Sequence, residues 1–156
     1  MHLRAVLAAV LAAVLAVASS VAAAQDPLAS AAAPLLTQVA FGAGDVQLGE
    51  RGGRCALLRG ETELLLAILA PCGFSPDRHG KVRIESFNRG SRIVLIEHVR
   101  ADPRPPLRGS VGPDCIREAQ AVREIGGKLE AGHMIASAGC ARGAADQKMF
   151  VAGFEW

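Results

Sequence analysis

A chain of 156 residues with 17 basic and 15 acidic side chains carries a formal charge of only +2. Its overall field therefore gives no reason to expect nucleic acid as a partner. Hydrophobic residues make up 51% of the chain, which excludes the apolar-poor, highly charged composition of a disordered protein and is enough for one ordinary core.

Residues 1–24 read as a signal peptide rather than as part of the fold. His2 and Arg4 make a weakly basic start, 5–17 is an unbroken apolar run, and Ala22, Ala23 and Ala24 form a small-residue cleavage signature before Gln25. Cleavage there leaves a chain with no later segment long and apolar enough to span a bilayer. The expected location is periplasmic or secreted. Residues 25–34, rich in Ala, Pro and Ser, read as a flexible tail, and 35–156 as a single disulfide-bonded domain.

Four cysteines follow the leader: Cys55, Cys72, Cys115 and Cys140. An even number in an exported chain points to disulfides, and no spacing is that of a redox or zinc motif. Three pairings are possible; the one expected, because each bond brackets one compact stretch, is Cys55 with Cys72 and Cys115 with Cys140. In the chain-entropy description these two loops are worth roughly 3 and 3.5 kcal/mol.

The fold is expected to start at 35–41, with the glycine-rich 42–53 as a loop or a loosely held strand. Segment 55–58 is short and apolar. Residues 62–70 are strong helix formers, with Thr62 able to cap, Glu63 in the first turn and Pro71 as a stop. They predict a helix buried on all sides; the competing reading is a buried strand pairing back onto 55–58. Residues 73–80 form a loop.

The clearest signal is 81–100, two β-branched apolar runs around Asn88, Arg89, Gly90 and Ser91, a β-hairpin pattern. A loop of two or four residues places Val82, Ile84, Ile93, Leu95 and Val99 on a core face. Lys81, Arg83, Glu85, Phe87, Val94, Ile96 and His98 then share the other. A three-residue loop would invert the pairing. After the proline-rich connection 101–112, Asp114 caps a predicted helix over 115–125 that Gly126 stops; the rival reading makes Gly126-Gly127 a hairpin turn. Residues 133–138 and 149–156 predict two strands. The fold class is α+β, a small antiparallel sheet built around hairpin 81–100 with one or two helices and two disulfides; the alternative is all-β.

No sequence arrangement carries a mechanism. There is no zinc-protease, phosphate-loop, dinucleotide or nucleophile-elbow motif; Ser110 lacks the leading glycine of an elbow. His79, His98, His133 and Glu97 have no ligand-like spacing, because strand neighbours 97 and 98 point to opposite faces. No metal and no cofactor is expected. Charge, however, is uneven: 78–108 holds eight basic residues against three acidic. The expected binding residues are Arg83, Phe87, Arg89 and Arg92 on the hairpin, types that anchor interfaces. Phe150, Phe154 and Trp156 are expected as core or groove lining. These features predict a small exported binding module, inhibitor- or immunity-like, that recognises a periplasmic protein or an anionic envelope component without catalysis. The alternative is a small periplasmic hydrolase-type enzyme whose scattered residues leave no motif.

Overall fold

The computed structural model describes residues 34–104, 115–138 and 144–156. Residues 1–24, Ser110, Asp114 and Cys140 lie outside them. Strands β1 (Gln38–Phe41), β2 (Gly44–Arg51), β3 (Arg54–Arg59) and β4 (Thr62–Leu69) form one antiparallel sheet in the order β1-β2-β3-β4. A second antiparallel sheet runs β5-β7-β8-β9, from β5 (Gly73–Phe74), β7 (Arg92–Ala101), β8 (Cys115–Ile125) and β9 (Lys128–Ala138). The short β6 (Ile84–Ser86) pairs with β7 further along the edge that β5 uses. The helix α1 (Gln147–Val151) has one and a half turns, and the Asp146 side chain caps it by accepting from the Lys148 amide.

The protein is thus mostly β, and the α+β expectation is corrected in favour of its all-β alternative. Both expected helices are strands. In β4 the leucines that favour a helix instead alternate: Leu66 and Ile68 are buried, while Leu65 and Leu69 are each 43% exposed. Pairing of Leu57 with Leu64 and Leu58 with Glu63 supplies what local propensity does not. In β8 the decisive element is Gly126-Gly127, with φ of 58° and 79°, a two-residue turn that joins Ile125 directly to Lys128. Both positions need the left-handed backbone that glycine takes without steric cost. Gly52-Gly53 makes the same turn between β2 and β3, so 42–53 is a hairpin arm rather than a loop. The expected strand at 149–156 is instead α1 and its C-terminal turn.

The hairpin is where it was expected, with the inverted register. Ile84 faces Val94, Glu85 faces Ile93 and Ser86 faces Arg92, around a loop of three residues. This reassigns the faces of β7. Val94 and Ile96 point into the space between the sheets, where they meet Phe41, Val46, Leu57, Leu66, Ile68, Phe74 and Val122. Ile93 and Leu95 point the other way and are covered, with Ala119 and Ala121, by Ala145, Phe150 and Phe154. The second sheet is therefore buried on both sides, which is why β7 reads as a continuous apolar run.

The buried Gln120 amide ties the sheets together: its Oε1 accepts from the Ala67 amide at 2.6 Å and its Nε2 donates to the Gly132 carbonyl at 2.8 Å. Cys55 and Cys72 are joined by a disulfide inside the core, as the spacing predicts. Cys115 is also disulfide-bonded. Among the described residues no helix is long and apolar enough to cross a membrane. Replacing Cys55 and Cys72 together by alanine is expected to lower stability by roughly 3 kcal/mol, from the freed 17-residue separation. Urea unfolding of the double variant checks it, and an unchanged midpoint would refute the claim.

Candidate functional site

The hairpin tip begins where β6 ends. The Phe87 amide donates to the Ser91 carbonyl at 2.9 Å, and a single 3-10 turn at Asn88–Gly90 closes the loop. The Ser91 hydroxyl donates back to the Asn88 carbonyl at 3.1 Å, and Ser91 is buried beneath the turn. Gly90 has φ of 71°, and so, nearly, does Arg89, at 62°. A left-handed conformation at a non-glycine residue costs on the order of 1 kcal/mol. Here it holds a long cation at the outermost point of the loop, where Arg89 is exposed.

On one side of the tip lies an open groove of about 580 Å³ lined by Ser86, Phe87, Asn88, Val151 and Trp156. Two of its five lining residues are aromatic. The Phe87 and Trp156 rings lie 5.5 Å apart, tilted by 57°, and Phe154 meets the indole edge-on at 6.4 Å. The Arg123 guanidinium sits 4.6 Å from the Phe154 ring and 5.3 Å from that of Trp156, and is itself paired with Glu130. The indole Nε1–H donates to the Val151 carbonyl at 3.2 Å. Trp156 is thus oriented by a hydrogen bond, an aromatic neighbour and a cation, yet it remains 64% exposed.

On the other side is a cleft of about 270 Å³ between three turns, lined by Gly42, Ala43, Gly90, Arg92, Glu124 and Gly126 among others. Glu124, on β8, reaches across to the first sheet. Its carboxylate accepts from the Ala43 amide at 3.0 and 3.3 Å and pairs with Arg59 at 3.1 Å. Arg59 also donates to the Gly127 carbonyl at 2.7 Å. Gly42 is required for this approach, because a Cβ there would lie 1.4 Å from Glu124 Oε2. Arg92 stands opposite Glu124 in the ladder, but that carboxylate is already engaged. Arg92 is exposed, and among the described residues neither it nor Arg89 enters a salt bridge.

No family model, curated protein or solved structure matches this chain.

Of the four hairpin residues expected to bind, Phe87 lines the groove, Arg92 lines the cleft, and Arg89 stands exposed on the turn between Asn88 and Gly90. Arg83 is placed elsewhere. It is half-buried, paired with Glu85, donates to the Ala145 carbonyl, and lies 4.9 Å from the Phe150 ring. Its contacts hold the C-terminal segment against the sheet. Trp156, Arg123, Arg59 and Glu124 complete the surroundings of the tip; only the aromatic composition of 150–156 gave any sign of this in the sequence.

The histidines do not converge. His98 is buried, with Nδ1 2.8 Å from the Pro71 carbonyl, which can only accept. His79 and His133 are exposed. Glu97, on the opposite face of β7 from His98, pairs with Arg117. Among the described residues no group of three or more His, Cys, Asp or Glu side chains is placed to hold a metal ion.

Proposed function

We propose that this chain is an exported binding module of the periplasm that recognises a protein with an anionic surface, or an anionic envelope component, through its hairpin tip. One observation carries this reading: an oriented but exposed Trp156 forms a groove with Phe87 and Asn88, and the exposed Arg89, which enters no salt bridge among the described residues, follows Asn88 in the turn. Aromatic and arginine side chains of this kind supply most of the binding energy at protein interfaces. An arginine held in left-handed backbone, where glycine costs less, is a strained position of the sort found at functional sites. The core disulfide is compatible with an oxidising compartment. The role assigned is inhibitor- or immunity-like, acting by occupancy rather than by catalysis.

The test uses wild-type protein as bait in periplasmic extract, followed by titration of the captured partner. The comparison variant is Arg89→Gly plus Arg92→Gln. It removes both cations without setting a second carboxylate opposite Glu124. Binding is expected to weaken about tenfold or more, and more at low than at moderate salt. The melting temperature is expected to hold or rise, since glycine relieves the backbone at position 89. Equal affinity of the two proteins at both salt concentrations would remove the tip as the binding surface.

A further inference from the structure

A third cavity, which shares no lining residue with the two at the tip, lies where β5 and the loop after it run along the edge of β7. The Phe74 amide donates to the Leu36 carbonyl at 2.8 Å, so Leu35 and Leu36 lie beside β5. The following loop closes on Asp77. Its Oδ1 accepts from the His79 amide at 2.8 Å and the Lys81 amide at 2.9 Å, while its own amide donates to the Lys81 carbonyl at 2.7 Å. Between these elements is a cavity of about 380 Å³ with Leu35, Leu36, Phe74 and Pro76 among its apolar walls. Volumes of about 300–1,000 Å³ are those of small-molecule sites.

Its charged lining is of one sign. Asp77 and Glu97 both line it, and no basic side chain among the described residues does. Glu97 is only 4% exposed, and the Arg117 guanidinium takes its Oε1 from the neighbouring strand. The Lys81 amide hydrogen bond, followed by that of His79, holds the Asp77 carboxyl below its ordinary range, so it is ionised at neutral pH. Arg117 offsets the charge of Glu97, so the half-buried Asp77 carboxylate is what disfavours an anion at this wall. It offers a neutral alcohol ordinary hydrogen bonds and an ammonium group charge-assisted ones.

We infer that this cavity binds a small organic cation, a primary amine on a short alkyl chain. The chain fills the space against Leu35, Leu36 and Phe74, and the ammonium group lies at the Glu97–Asp77 side. This site is separate from the tip and does not depend on the reading given to it.

The experiment is an NMR titration of the purified protein with n-hexylamine, 1-hexanol and hexanoate. Saturable shifts are expected with hexylamine at the Gly73, Phe74 and Gly80 amides, with the Trp156 indole signal unmoved. Hexanol is expected to bind about tenfold more weakly, as a neutral hydrogen bond replaces a charged one, and hexanoate to leave the spectrum unchanged. Ala144→Leu fills the mouth of the cavity from an exposed position; it should abolish the hexylamine shifts without changing the melt. Glu97→Gln should bring hexylamine down to the level of hexanol. Should loss of the Arg117 pair unfold that variant, Ala144→Leu and the three-ligand series still decide. Equal binding of hexylamine and hexanoate, or hexylamine shifts that persist in Ala144→Leu, would overturn the assignment.

Discussion

The Glu124→Ala variant is expected to unfold about 4 kcal/mol more easily than the parent protein, the cost of breaking a largely buried ion pair together with a part-buried amide contact. Glu124 and Arg59 are 9% and 17% exposed at their side chains, so little water screens them. The carboxylate is the partner of two groups at once: the Arg59 guanidinium and the Ala43 amide of the β1–β2 turn. Removing it leaves a half-desolvated cation and an unpaired N–H in the same cleft. It also cuts a side-chain link between the two sheets at their turn end. The loss arises from the orphaned partner, not from any large net gain of the pair. The double variant Glu124→Met, Arg59→Met should therefore recover most of the stability. Urea denaturation of the two proteins makes the comparison. A double variant less stable than Glu124→Ala would show that the network contributes net stability and would contradict this account.

How much of this was legible in the sequence depends on the range of the interaction involved. The hairpin at 81–100 was legible, because β-branched runs around a turn are a local signal. Its register was not, because it rests on one unusual residue. Arg89 adopts the left-handed conformation next to Gly90, which closes a loop of three where a glycine-only reading suggests two or four. That single residue decides which side chains of β7 face the first sheet and which face α1. Segments 62–70 and 115–125 carry leucine, alanine, glutamate and arginine, so their local preference is helical. Their state is set by the neighbouring strand and by turns such as Gly126-Gly127. The disulfide from Cys55 to Cys72 was one of three possible pairings, preferred because it brackets a compact stretch, and the structure contains it. At the candidate site the arginines of the tip were visible as a local cluster of charge. The indole against Phe87 was not, since Trp156 meets that ring only after α1 folds across the sheet.

A loss of stability of similar size is expected at Phe150. Its ring is fully buried against the outer face of the second sheet, in one cluster with Ile93, Leu95, Ala119 and Ala121, and the Arg83 guanidinium lies 4.9 Å from it. A five-residue helix has no stability of its own in water, because nucleation is not repaid over so short a length. The Asp146 cap alone does not change that. What holds α1 is this ring, together with the Arg83 contact to the Ala145 carbonyl and the His133 amide bond to Gly153. Phe150→Ala is therefore expected to cost about 3–5 kcal/mol. The effect should be global, since the face it exposes belongs to β7 and β8, the central strands of the second sheet. Trp156→Ala, at an exposed position in the same segment, should cost only about 0.5 kcal/mol. Thermal melts of both variants give the first comparison, and amide exchange gives the second. In Phe150→Ala, protection should fall across β7 and β8 as well as α1. Loss confined to α1, with a parental melt, would mean that the C-terminal segment opens independently of the sandwich and that the second sheet stands without its outer cover.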